Sequence, residues 1–187
     1  MIGAVVLAAG GGTRFTGPGP KLGAPFRGGT VVGHALAAAV EAAIGEVAVV
    51  TGAVALDVPP GVIVLHNADW ASGQASSLQR AVAWATDRRL DAIVVGLGDA
   101  PLVSHATWRA VAAAAGTPIA TARSAGHRHP PVRLAASVWP ALPTDGDEGA
   151  RALMRARPDL VTDIEVAELD ADIDTVADLA RWDRPPG

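Results

Sequence analysis

The chain has 187 residues, half of them hydrophobic, with a formal net charge of -4 at pH 7 and no cysteine. That length and apolar content support one core, so a single domain over 1–187 is expected, with 183–187 as a loose tail. Lack of Cys excludes a disulfide frame and thiolate metal sites, dispersed basic residues argue against a nucleic-acid surface, and no apolar run approaches the roughly 20 residues of a membrane helix.

The start, Met1 to Gly12, is apolar but runs directly into glycines without a basic segment, so it reads as a first strand rather than a signal peptide. The expected setting is therefore the cytoplasm, with neither nucleic acid nor membrane as partner. Ile2 to Leu7 is the first strand, and Glu46 to Thr51, Val62 to His66 and Ala92 to Leu97 follow as nearly continuous apolar runs. Such runs suit strands covered on both faces. Between them, Val31 to Ile44, Gln74 to Thr86 and His105 to Ala115 read as helices, the last with Ser104 as N-cap. Strands alternating with helices imply an α/β fold around a mainly parallel sheet. Beyond Gly116 the pattern loosens. A short strand at Ile119 to Ala122, a turn at Ser124 to Arg128 and a return at Val132 to Leu134 predict a small hairpin-like excursion. Short helices at Ala135 to Leu142 and Gly149 to Ala156, a strand at Ile164 to Leu169 and a helix at Thr175 to Trp182 complete the chain.

Two motifs carry chemistry. Leu7-Ala8-Ala9-Gly10-Gly11-Gly12-Thr13-Arg14 ends the first strand, and Lys21 follows at a distance. Glycines there let backbone N–H groups approach a polyphosphate, while Arg14 and Lys21 supply positive charge for its oxygens. The spacing fits neither the Walker loop nor the dinucleotide fingerprint. A flexible turn of small residues is the plainer alternative. The second motif, Gly98-Asp99-Ala100-Pro101, follows the fourth apolar run. In an open α/β sheet the carboxyl ends of central strands form the ligand crevice, so Asp99 is placed to hold Mg²⁺ beside a triphosphate. As a bare turn, this tetrapeptide would be unremarkable.

The Leu-Ala-Ala-Gly…Arg…Lys and Gly-Asp-x-Pro pair resembles the MobA-like nucleotidyltransferases, which attach nucleotides to the molybdenum cofactor. Three further segments bring the resemblance nearest to the cytidylyltransferase branch: Asn67 to Ser77, Gly146 to Arg151, and Asp172-Ile173-Asp174-Thr175. The resemblance implies a Rossmann-like three-layer sandwich of the nucleotide-diphospho-sugar transferase type. It also implies Mg²⁺-dependent transfer of CMP from CTP to molybdenum-molybdopterin with release of pyrophosphate, and delivery of the product to a molybdoenzyme. Carried over residue by residue, Leu7, Ala8, Ala9, Gly10, Gly11, Gly12, Arg14, Lys21, Gly73, Ser76 and Ser77 bind the nucleotide. Trp70, Gln74, His129 and Asp147 face the acceptor, with Trp70 able to stack on a base or a pterin. Arg14, Lys21 and Asp99 are the catalytic set, Asp99 is the metal ligand, and Asp174 either joins the metal site or caps the last helix.

Two departures leave the finer specificity open. The family usually places Arg five residues before Lys, whereas Arg14 and Lys21 are two residues further apart. The branch pattern Gly-x-x-Gly-His-Pro appears as Gly126 to Pro131, with His129 and Pro130 in place of glycine and histidine. His127 and His129 are readable as metal ligands or as solvated turn residues, and the second fits two histidines without a third partner. Guanylyl transfer to molybdopterin, transfer to phosphoenolpyruvate, phospholactate or a sugar phosphate, and a non-catalytic cofactor-delivery role are the competing functions.

Overall fold

The computed structural model describes residues 1–12, 15–167 and 172–183. Its elements in chain order are β1 (Ile2–Ala8), β2 (Pro25–Phe26), β3 (Gly29–Thr30), α1 (Val31–Glu41), β4 (Val47–Thr51), β5 (Ile63–His66), α2 (Gln74–Asp87) and β6 (Ala92–Leu97). There follow α3 (His105–Ala113), β7 (Ile119–Ser124), β8 (His127–Ala135), α4 (Ala150–Ala156), β9 (Val161–Glu165) and α5 (Val176–Trp182).

Seven strands form one sheet in the order β5-β4-β1-β6-β8-β7-β9. Strands β5, β4, β1 and β6 run parallel to one another, β8 is antiparallel to both β6 and β7, and β9 returns to the parallel sense beside β7. The β7–β8 hairpin is thus built into the sheet rather than standing out from it. Val132, Leu134 and Ile119 are buried in the same layer as the central strands, which is what anchors the hairpin there. Residues 25–30 form a separate two-stranded ladder that the sequence pattern does not announce.

Alternation along β1 sorts its side chains between the two faces. Ala4, Val6 and Ala8 pack with Leu36 of α1 and with Trp108 and Val111 of α3, while Val5 packs with Leu78, Trp84 and Ala85 of α2. The sheet therefore lies between two helical layers, the three-layer sandwich expected. Three of the five tryptophans, Trp84, Trp108 and Trp139, are buried core residues.

Helix and strand ends differ from the sequence reading for local reasons. The first helix stops at Glu41 because Ala43 adopts a left-handed backbone (φ 52°). The segment around Pro140 winds as a 3-10 turn over Ala136–Ala141, since proline lacks the N–H that an α-helix needs there. The late strand begins at Val161 instead of Ile164, following a single turn at Pro158–Leu160. The expected strand residues Leu169 and Glu168 lie outside the described residues, as does Arg14.

Candidate active site

Strands β1 and β6 are parallel neighbours, with Leu7 opposite Leu97. Their carboxyl ends leave the sheet side by side, and the Gly98 N–H donates to the Leu7 carbonyl at 2.9 Å. The glycine run 10–12 and Asp99 are therefore brought together although almost ninety positions separate them in sequence. The third partner arrives from the end of the chain. Ile173, fully buried, donates its N–H to the Asp99 carbonyl at 2.8 Å and fixes Asp174 beside Asp99.

Helix α5 is capped by Thr175, whose hydroxyl accepts from the Asp178 N–H while the Asp178 carboxylate accepts from Thr175 N–H. This is a capping box. Asp174 is consequently not the cap, and its carboxylate reaches the site. Lys21, on the single turn Lys21–Gly23, donates to Asp99 Oδ2 at 2.6 Å and to Asp174 Oδ1 at 3.2 Å. Its side chain is only 11% exposed. Burial lowers the Lys21 pKa, but the charge of Asp99 and the hydrogen bonds to Asp99 and Asp174 more than offset it and hold the amine above its ordinary value.

Lys21 is the only lysine in the sequence, which also contains no tyrosine and no cysteine. A raised pKa means that the pairing stabilises the fold throughout the range below the ordinary lysine value and is lost as pH rises through the raised one. Between about pH 9 and 12 few other groups titrate in this chain. The melting temperature should therefore fall across that alkaline window in the wild type and fall less in Lys21→Met. Parallel curves for the two proteins would remove the ion pair from the stability of the fold.

A cavity of about 450 Å³ opens over these groups. Its walls include Leu7, Ala8, Ala9 and Gly10 to Gly12 on one side, and Lys21, Asp99 and Asp174 on another. Gly12 has φ 60°, and a Cβ there would lie 3.0 Å from Lys21 Cβ, so the loop and the lysine are in contact. Trp70, Gly73, Gln74, Ser77 and Asp147 also line it. The Trp70 ring packs against the glycine loop, since a Cβ on Gly11 would sit 3.3 Å from its Cζ3. Ser77 reaches the cavity wall and Ser76 does not. Both hydroxyls accept from Asn67 Nδ2, at 2.9 Å to Ser76 and 3.0 Å to Ser77, and Ser76 in turn donates to the Gly73 carbonyl. Buried Asn67 thus fixes the entry to α2, a role its place in the Asn67 to Ser77 segment signals only in hindsight.

The start of α2 has no side-chain cap, and the Gly146 carbonyl accepts from Ala75 N–H at 2.9 Å in its stead. Gly73 makes this docking possible. Its φ of 112° suits glycine, and a Cβ would stand 2.5 Å from the Gly146 oxygen. The Gly146 to Arg151 motif is thereby laid against the Gly73 to Ser77 motif.

A second cavity of about 360 Å³ adjoins the first, sharing Leu7, Gln74 and Leu97. Leu78, Val95, Val132 and Met154 give it an apolar floor, and Arg128, Arg151 and Arg155 stand at its edge. Arg128 is paired with Asp163 and Arg155 with Glu148. None of these arginines, nor Met154, was legible as a site residue, although Arg151 closes the Gly146 motif. His129 also lines this cavity. It is 3% exposed, so the solvated reading of it fails, while His127 is exposed as expected. Its Nδ1 lies 2.7 Å from the Pro130 carbonyl, to which it can only donate, and Nε2 lies 3.1 Å from Ser124 Oγ. In the neutral ring Nε2 then accepts from the serine. Both nitrogens are engaged, which removes His129 as a metal ligand.

The carboxylates that converge on one point of the first cavity, and so are available to a divalent cation, are Asp99 and Asp174. Among the described residues no cluster of three or more His, Cys, Asp or Glu is assembled. Two carboxylates already converging on one cationic group match what Mg²⁺ takes from protein when a nucleotide supplies the remaining oxygens. The residues present fit the ion.

The sequence profile of the MobA-like NTP transferase domain matches residues 4–161. The chain belongs to that family. A relative from Paenarthrobacter nicotinovorans, nicotine blue oxidoreductase, is 35% identical over 95% of this chain and 94% of its own. Among solved structures, a nucleotidyl transferase from Methanothermobacter thermautotrophicus superposes with a TM-score of 0.85 at 27% identity, covering 98% of this chain and 96% of that one. Rv0371c from Mycobacterium tuberculosis gives a TM-score of 0.78 at 31% identity, covering 96% of each chain. The same protein is also known in complex with manganese, at 30% identity, a TM-score of 0.75 and 97% coverage of each chain. The family is one of nucleotidyltransferases with an α/β sandwich fold, and a divalent metal accompanies it in that relative. Among the described residues, no helix is long and apolar enough to cross a membrane.

Proposed function

We propose that this protein transfers a nucleoside monophosphate from an NTP to a phosphorylated acceptor, specifically CMP from CTP to molybdenum-molybdopterin. The observation that carries the reading is the convergence of the glycine loop, Lys21, Asp99 and Asp174 on one cavity that opens into a second. The first cavity suits the triphosphate and the second the acceptor.

An acceptor phosphate oxygen forms a bond to the α-phosphorus while the α–β bridging bond breaks and pyrophosphate leaves. The attacking phosphate is already anionic near neutral pH, so no general base is required. The protein's work is alignment and neutralisation of charge. Backbone N–H groups of Gly10 to Gly12 hold the phosphate chain, and Lys21 carries positive charge to the α-phosphate. Asp99 and Asp174 would hold Mg²⁺, which would supply further neutralisation of the phosphates. Arg14, from its place in the motif, adds a second positive group. Trp70, Ser77 and Asp147, which line the first cavity, bound the nucleotide side, His129 the acceptor side and Gln74 both, so Trp70 and Asp147 leave the acceptor role that the resemblance implied for them. A molybdoenzyme is the receiver of the product in this reading, and the cytoplasm its setting.

Pyrophosphate release with each NTP, Mg²⁺ and molybdopterin tests the assignment. CTP should give the highest turnover, because the Asn67, Gly146 and Asp172 segments resemble the cytidylyl branch. A tenfold or greater preference for GTP would move the protein to guanylyl transfer.

A second reading rests on the 35% identical relative, whose name states an oxidoreductase acting on nicotine blue. A phosphate cradle serves the pyrophosphate of a redox dinucleotide as well as a triphosphate, and the apolar second cavity suits an aromatic oxidant. Lys21 flanked by two carboxylates favours transfer, since a hydride donor has no need of a divalent-metal seat.

A further inference from the structure

Lys21 is gripped by the two carboxylates that would hold the metal, at 2.6 Å and 3.2 Å, with its side chain nearly buried. The ammonium thus sits between the oxygens that a divalent ion needs. All fourteen of the other long basic residues are arginine, so the one lysine falls where a compact charge is wanted. A guanidinium is a planar fork of five donors, whereas an ammonium is a point charge on a flexible stem that can occupy a small seat and leave it.

We infer that Lys21 is a tethered counter-ion for Asp99 and Asp174, so that the protein without nucleotide holds the divalent metal only weakly and takes it up tightly together with the triphosphate. The inference rests on the nucleotidyl-transfer reading and adds an order of binding to it. A free metal ion must compete with an ammonium held in place by the chain, whose effective concentration is set by its short tether and not by the solution. The triphosphate removes the competitor. It offers Lys21 a denser set of negative charges on the glycine loop, which the lysine already touches through Gly12. The two carboxylates, relieved of their ammonium, then face a metal that arrives already bound to phosphate oxygens. Premature metal binding, which would leave Lys21 no counter-charge, is avoided.

The test is Mn²⁺ binding to the full-length protein, followed by titration calorimetry and by the paramagnetic resonance of free Mn²⁺, without nucleotide and with CTP. Wild type should bind Mn²⁺ weakly alone and at least about tenfold more tightly with CTP. Lys21→Met should bind Mn²⁺ without nucleotide at least about tenfold more tightly than wild type, and adding Asp99→Asn to it should abolish the gain. Lys21→Met with no gain would overturn the inference. Should that variant not fold, reductive ¹³C-methylation of the wild type labels Lys21 and the N-terminal amine, and keeps their charge. The Lys21 resonance should ignore Mg²⁺ alone and move with Mg²⁺ and CTP together. Movement with Mg²⁺ alone, as large as with both, also overturns it. If CTP has no effect on any of these signals while Lys21→Met still gains affinity, the counter-ion role stands and the nucleotide assignment falls.

Discussion

Asp99→Asn should reduce kcat by on the order of 10² to 10³ while leaving the fold intact. The asparagine keeps the shape and an oxygen that can still accept from Lys21, and Asp174 remains as a negative partner for the ammonium. The pairing is weakened and not orphaned, so the melting temperature should change by only a few degrees, about the effect of 1 kcal/mol in a domain of this size. What is lost is charge at the metal seat. The metal is held less tightly, and charge developing on the phosphates is less well neutralised. Raising Mg²⁺ should therefore restore part of the rate. Near-normal turnover of Asp99→Asn at low Mg²⁺ would reduce Asp99 to a turn residue.

Gly73→Ala should be the most damaging small substitution in the site. The backbone there, φ 112° and ψ 175°, is a region that only glycine enters freely. Forcing a side chain into it costs on the order of 1–3 kcal/mol, and the added methyl would also stand 2.5 Å from the Gly146 oxygen and 2.8 Å from Asp147 Oδ1. The backbone must move, and the bond from Ala75 N–H to Gly146 goes with it. The melting temperature should fall by on the order of 5–10 °C. Because the Gly146 to Gly149 segment also walls both cavities, KM for nucleotide and for acceptor should rise together. An alanine variant with unchanged KM values would show that this docking does not shape the site.

The central strands were legible because the burial of both faces leaves a plain mark, an unbroken apolar run. Ala92 to Leu97 was placed without error, and β1, β4 and β5 to within a residue. The outer part of the sheet was not, because strand order has no local signature. Nothing in Ile119 to Ala135 says that β8 enters antiparallel next to β6 and carries β7 and β9 with it. The site followed the same division. Gly10 to Gly12, Lys21 and Asp99 were readable from residue type and position after a strand. Their contact depended on β1 and β6 being neighbours. Asp174 was ambiguous, since Asp ahead of a helix is a normal cap, and only the Thr175 to Asp178 capping box frees it for Lys21. The burial of His129 was not legible, because a histidine near a turn reads as exposed, whereas the strand β8 extends through it and buries it beside Ser124. The second cavity was hidden almost wholly, because its arginines and Met154 meet only through the docking of α4 and the hairpin.

The measurement that tests the account most directly is the mass of the product formed from CTP, Mg²⁺ and molybdenum-molybdopterin, run beside a reaction in which a reduced nicotinamide dinucleotide and an aromatic dye replace them. The account predicts an acceptor heavier by one cytidylyl group, one pyrophosphate per product, and no dye reduction. Dye reduction at the expense of the dinucleotide, with no nucleotidylated acceptor from any NTP, would contradict it.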